Sequence, residues 1–278
     1  MNNSFCIKTS DNFEINATTF GDRESSSGLV IVVHGFKGFK DWGFFPYLCE
    51  RLAEAGFFAV SFNFSHNGIG PDMLNFTESE KFAENTISRE VSELKEVINY
   101  CCSEFSTENE KKIHLLGHSR GGGICLLAGA KDPRISSIVL WASIATFCRW
   151  TKRQMAKWYK EGFLEVVNSR TNEVMRMNAS FITDIEANKE ESLNVLKATA
   201  EFQRPLAIIH GDNDLAVNVA EGNKISEAAD KSNTELHIIS KTGHTFDVVH
   251  PFKSSNEKLE KIIKLTIDFL RKTNERRK

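Results

Sequence analysis

The sequence predicts an α/β fold, a mostly parallel sheet with helices packed on both faces. Two observations carry this. Apolar runs rich in β-branched residues alternate with segments of helical period along the 278 residues. Several of those runs also stop at Gly, His, Ser or Asp, as expected where a ligand crevice lies beyond the carboxyl ends of parallel strands. The length suits one α/β domain over 1–278 that carries an insertion.

In chain order, residues 5–8 and 14–20 read as an opening hairpin turned at Ser10-Asp11-Asn12. Residues 28–33 form an unbroken apolar run, the pattern of a strand buried on both faces, and lead into His34-Gly35-Phe36. Further strands are expected over 57–62, 113–116, 135–142, 206–210 and 235–239. Helical period marks 46–55, 122–130, 220–229 and 256–273, and also 80–101, where Ile87, Val91, Leu94, Val97 and Ile98 share one stripe. The interval 146–202 is too long for a bare loop and is expected to be a cap with structure of its own. It divides into a helix over 149–163, strands over 164–167 and 173–177 about a turn at 168–172, and a second helix over 192–201.

The chain is 41% hydrophobic and 26% charged, with a net charge of -2. That balance disfavours nucleic acid and polybasic membrane binding. No apolar run reaches the roughly 20 residues a membrane helix needs, and residues 1–9 lack the apolar core of a signal peptide. Six cysteines (Cys6, Cys49, Cys101, Cys102, Cys125, Cys148) show no zinc-binding spacing. They read as free thiols, with a cytoplasmic location as the expectation. The basic end at 276–278 reads as a solvated tail.

The densest chemical signal is Gly117-His118-Ser119-Arg120-Gly121, a G-x-S-x-G between a predicted strand and a predicted helix. Such a turn presents a serine hydroxyl, and its glycines avoid a clash between residues two positions either side of the serine. A serine hydroxyl is a weak nucleophile at neutral pH and needs a base. His244, in Gly243-His244-Thr245-Phe246 after the last strand, is the candidate. Asp214, in His210-Gly211-Asp212-Asn213-Asp214, is the candidate that orients the imidazole, with Asp212 and Asp247 as rivals. The order Ser, Asp, His is that of α/β-hydrolases. Oxyanion donors are expected from the backbone N–H groups of Phe36 and Arg120, whose side chains are not assigned a role in the chemistry. His34, His118 and His210 read as packing or loop-orienting residues. No residue pattern suggests a metal or a dinucleotide.

With these motifs assembled, the chain resembles the α/β-hydrolase superfamily from about residue 28 to the final helix. Within it, the chain is similar to compact serine esterases related to dienelactone hydrolases and bacterial cinnamoyl (feruloyl) esterases. The likeness rests on the segments 34–38, 117–122, 210–214 and 243–246 and on the cap. The resemblance implies an eight-stranded, mostly parallel sheet. Ser119 departs from the cysteine of dienelactone hydrolases proper, which argues against that substrate class.

The expected activity is that of a serine hydrolase, a carboxylesterase acting on small or aromatic acyl esters through an acyl-enzyme, with no cofactor. A thioesterase, a serine aminopeptidase and a non-catalytic binding protein on the same scaffold are the alternatives. An aminopeptidase needs a carboxylate to receive a substrate amine, for which Glu161 and Glu165 of the cap are the available candidates. Trp150 and Trp158 in the first cap helix are candidates for lining an acyl pocket. The partner expected is a small-molecule ester; the sequence does not specify an oligomeric state.

Overall fold

The computed structural model describes residues 2–105, 112–168 and 173–275. The turn expected at 168–172, apart from Asn168, and the basic end at 276–278 lie outside the described residues.

The opening hairpin is β1 (Asn3–Lys8) with β2 (Glu14–Phe20). Then follow β3 (Gly28–Val33), α1 (Phe45–Glu54), β4 (Phe58–Phe62), α2 (Ser79–Glu84), α3 (Ile87–Phe105), β5 (Lys112–His118), α4 (Arg120–Lys131) and β6 (Ile135–Trp141). The interval between β6 and the next sheet strand holds α5 (Lys152–Glu161), β7 (Phe163–Val167), β8 (Val174–Asn178), α6 (Ala179–Asn188) and α7 (Val195–Glu201). The chain closes with β9 (Leu206–Gly211), α8 (Val219–Ala228), β10 (Thr234–Ile239) and α9 (Glu257–Glu275).

The main sheet is eight-stranded, in the order β1-β2-β4-β3-β5-β6-β9-β10. Its pairings are parallel from β4 to β10, and antiparallel where β2 meets β1 and β4. The apolar strands feed two separate cores because successive side chains point to opposite faces. Leu29, Ile31 and Val33 of β3 join one core, while Val30 and Val32 join the other. Leu206 and Ile208 of β9 divide from Ala207 and Ile209 in the same way. The first core lies under α3, α4 and the cap helices; the second lies under α1 and α9.

Two helical expectations are corrected. The helix expected over 80–101 is two helices, parted at Asn85, whose backbone is extended (φ -61°, ψ 151°). Asn85 donates from Nδ2 to Glu90 at 2.7 Å, and Thr86 Oγ1 accepts the Arg89 N–H at 3.1 Å, which starts α3 afresh. The first cap helix begins at Lys152 rather than at 149. Thr151 and Gln154 form a capping box there, and Gly162, at φ 79°, ends it. In addition, α6 was not anticipated; it buries Phe181, Ile182 and Ile185. The hairpin of β7 and β8 is present as a separate two-stranded antiparallel sheet.

Candidate active site

Ser119 sits between β5 and α4 with φ 57° and ψ -122°, a backbone conformation costly for any residue with a Cβ. Hydrogen bonds hold it there. Its N–H donates to the Trp141 carbonyl at 2.8 Å, and its carbonyl accepts from the N–H groups of Gly122 at 3.0 Å and Ile144 at 3.3 Å. The two motif glycines permit the close approach this requires. A Cβ on Gly117 would stand 2.5 Å from the Gly121 carbonyl oxygen, and one on Gly121 would stand 2.5 Å from the carbonyl oxygens of Val33 and His34.

Asp214 lies in the loop after β9 and His244 in the loop after β10. The His244 Nδ1–H donates to Asp214 Oδ2 at 2.7 Å. The other carboxylate oxygen accepts the N–H groups of Ala216 (2.9 Å) and Val217 (2.8 Å). His210 contributes too, its Nε2 lying 3.3 Å from Asp214 Oδ2 and donating to the Val217 carbonyl at 2.9 Å. Burial by itself would raise the Asp214 carboxyl. The hydrogen bonds from His210, His244 and the Val217 N–H outweigh it and hold the acid well below the usual carboxylate range. The rivals are engaged elsewhere. Asp212 Oδ1 accepts the Thr242 N–H at 3.4 Å, and Asp247 pairs with Lys258.

With its Nδ1 proton directed at Asp214, the His244 imidazole in its neutral form carries its lone pair on Nε2. Ser119 and His244 line the same two cavities, of about 540 Å³ and about 180 Å³, and Phe36 lines both as well. Arg120 opens α4, so its N–H is among those at a helix start that have no intrahelical acceptor. Phe36 follows His34-Gly35, and His34 fixes that segment. Its Nδ1–H donates to the Gly35 carbonyl at 2.9 Å and its Nε2 accepts the Phe64 N–H at 3.3 Å. Burial lowers the His34 pKa to about 4, so the ring stays neutral.

The larger cavity is roofed by the cap, with Phe147, Trp150, Met177 and Phe181 on its wall. Trp158 takes a different place from the one expected. Its Nε1–H donates to the Met177 carbonyl at 2.9 Å, which turns the indole into the cap interior. It is fully buried there, stacked on Phe181 and edge-on to Trp150, and it does not line the cavity. Arg120, whose side chain was assigned no role in the chemistry, does line it. Arg120 is buried and bonded from Nη2 to Glu90 Oε1 at 2.5 Å. Glu90 was missed, although a carboxylate beside the stripe residues Ile87, Val91 and Leu94 is itself unusual. Glu161 and Glu165 do not reach the cavity; they approach Lys157 and Arg176 on the cap exterior.

Among the described residues, no group of three or more His, Cys, Asp or Glu is placed to hold a metal ion, and no helix is long and apolar enough to cross a membrane.

Comparison with known proteins agrees with this architecture. An Escherichia coli protein described as an uncharacterized 31.7 kDa protein in the traX-finO intergenic region is 27% identical over 141 residues, 50% of this chain and 46% of that protein. The chain thus matches about half the length of the curated relatives. Among solved structures, Est1E from Butyrivibrio proteoclasticus with bound ferulic acid has a TM-score of 0.76 at 18% identity, covering 98% of this chain and 100% of its own. The α/β-hydrolase GrgF from Penicillium sp. sh18 has a TM-score of 0.76 at 17% identity, covering 98% and 99%. These likenesses establish a shared fold. Residues 24–193, more than half of the chain, match the family described as serine aminopeptidase, S33, and the chain belongs to that family of α/β-hydrolases.

Proposed function

We propose that the protein is a serine hydrolase whose preferred reaction is cleavage of carboxyl esters with small or aromatic acyl groups. The observation that carries the reading is the 2.7 Å bond from His244 to Asp214, made beside a cavity that Ser119 also lines. His244 Nε2 takes the Ser119 proton as Oγ attacks the ester carbonyl. The Phe36 and Arg120 N–H groups receive the oxyanion, and His244 returns the proton to the leaving alcohol. Water, activated by the same imidazole, then releases the acid. No cofactor enters these steps.

The cavity walls support esters over peptides. Among the described residues, the larger cavity is lined by Lys37, Arg120 and Arg149 and by no Asp or Glu, the reverse of what a substrate ammonium requires. The ferulic acid complex of Est1E supports the aromatic acyl class. Thioesters would serve the same triad. The six free cysteines support a reducing, cytoplasmic setting. Ser119→Ala should abolish p-nitrophenyl acetate hydrolysis and fluorophosphonate labelling with an unchanged unfolding midpoint; turnover retained in that variant would sink the assignment.

A further inference from the structure

We propose that the Arg120 guanidinium is a receptor for a carboxylate on the substrate, so that the preferred ester carries an acid group reaching into the larger cavity. This rests on the hydrolase reading above and narrows its substrate class.

Arg120 follows Ser119 directly, and its side chain forms part of the cavity wall. It lies over the Phe36 ring at 4.6 Å and faces the Phe181 ring at 5.8 Å. Two aromatic neighbours and the Glu90 bond therefore fix the orientation of its plane. Among the described residues, the one side-chain acceptor it meets is Glu90, which bonds Nη2. Nε and Nη1 have no acceptor, yet they are not among the sealed polar atoms that lack a partner. The side chain keeps about 10% of its surface exposed, and Arg120 is one of the residues that line the cavity. A guanidinium with one edge held and another edge free matches the two oxygens of a carboxylate.

The other cations of the wall are already committed. Arg149 donates from Nη1 to Glu221 at 2.6 Å and from Nη2 to the Ala216 carbonyl at 2.8 Å, and Lys37 donates to the Val167 carbonyl at 3.0 Å. Arg149 is thus largely neutralised by Glu221, while among the described residues lining the cavity there is no Asp or Glu, so the wall as a whole still favours an anion over a neutral chain. Glu90 keeps Arg120 in place but spends one of its donors. Its own Oε2 is buried without a partner, so the pair is held at a cost that a purely structural contact does not explain.

The test uses two matched ester pairs that place the carboxylate on opposite sides of the scissile bond. Monoethyl glutarate is compared with ethyl pentanoate, and 4-acetoxybutyrate with butyl acetate. In the wild type, kcat/KM should favour the acid member of one pair by about tenfold or more, the scale of a charge-assisted bond. The pair that responds tells whether the acid belongs to the acyl or the alcohol moiety. The double variant Glu90→Gln with Arg120→Gln, which leaves no buried charge alone, should erase the preference. Equal rates within both pairs, or a preference that survives the double variant, overturn the proposal.

A second measurement needs no change at Arg120. Calorimetric titration of Ser119→Ala with the same four esters should show the acid member of one pair binding at least about tenfold more tightly than its neutral partner. If the wild type cleaves no ester but this binding difference is present, the hydrolase reading fails and the carboxylate site stands. Equal binding within both pairs sinks the site whatever the enzyme cleaves.

Discussion

The Nε2–H of His118 donates to the main-chain carbonyl of His244 at 3.0 Å, so the residue before Ser119 tethers the loop that carries His244. The two rings lie 4.7 Å apart, and Phe44 closes the far side of His118 edge-on. Burial pushes the His118 pKa down to about 3. The ring is therefore a neutral donor throughout the working pH range, a strut and not a second base.

Removing that strut should misplace the His244 imidazole without touching its bond to Asp214. His118→Phe is expected to lower kcat by about tenfold to a hundredfold, the scale of one lost bond plus a misaligned base. His118→Gln keeps an N–H donor at similar reach and should recover part of the loss. A kcat unchanged in His118→Phe would show that the His244 loop holds its position by other contacts.

Asp214→Asn tests the carboxylate more sharply. An amide in its place can present its N–H to His244 Nδ1 and so stabilise the wrong tautomer, leaving no lone pair on Nε2 for Ser119. A fall in kcat of about 10⁴ is expected with little change in fold, as known for the equivalent substitution in a serine protease. Asp212→Asn should leave kcat within about threefold, because that carboxylate shapes a turn and is not bonded to the imidazole. The reverse ranking would reassign the acid.

Acid should unfold the protein through its buried histidines. Burial lowers His34 and His114 from 6.5 to about 4 and His118 to about 3, and it moves His66 the same way. Above pH 6.5 neither state binds these protons and their contribution is complete. Below it the unfolded chain takes up protons that the folded chain refuses, and stability falls until the folded-state values are reached. Glu93 runs the other way. Burial raises it from 4.5 to about 7, so between those values the folded chain holds a proton that the unfolded chain lacks. Burial raises Glu90 in the same sense, so four histidines are set against two carboxyls, and the balance is a net uptake of protons on unfolding between pH 6.5 and 4.5. Urea midpoints should drop across that window; a flat profile would contradict the stated protonation states.

The strands, and the grouping of Ser119, Asp214 and His244 at one site, were legible because both depend on short, local patterns. A run such as 28–33 is apolar at every position only where both faces are covered, and the segments carrying Ser119, Asp214 and His244 each follow such a run. What escaped was set by side-chain bonds that hydrophobic periodicity does not report, some local and some distant in sequence. The stripe from Ile87 to Ile98 predicts a helix but not its break at Asn85, which depends on the side-chain bonds of Asn85 and Thr86. The pairing of Glu90 with Arg120 joins residues 30 positions apart, and nothing local to either announces it. The start of α5 was marked locally by the Thr151-Gln154 capping box, a signal the expected start at 149 passed over.

The two cap tryptophans should separate in their effects. Trp158 is fully buried, so Trp158→Ala is expected to cost about 3–5 kcal/mol through the void left beneath Phe181 and Trp150. Trp150 is only partly buried and lines the cavity, so Trp150→Ala should cost less stability but shift relative kcat/KM across p-nitrophenyl acetate, butyrate and octanoate. If Trp158→Ala changes acyl-length preference while Trp150→Ala does not, their placement here is inverted.

The backbone at Ser119 is strained. At φ 57° and ψ -122°, Ser119 occupies a conformation that glycine adopts readily and that any residue with a Cβ resists. The turn imposes it nonetheless, because the Ser119 N–H and carbonyl are bonded to Trp141, Gly122 and Ile144. Ser119→Ala keeps the Cβ and therefore the strain, so its unfolding midpoint should match the wild type. Ser119→Gly removes the Cβ, and the relief in the folded state, about 1–3 kcal/mol, should exceed the roughly 0.4–1 kcal/mol lost to a more flexible unfolded chain. Thermal melts of the two inactive variants should therefore differ, with glycine the higher. If glycine melts lower than alanine, the turn is not strained, and the exposure of this hydroxyl costs the fold nothing.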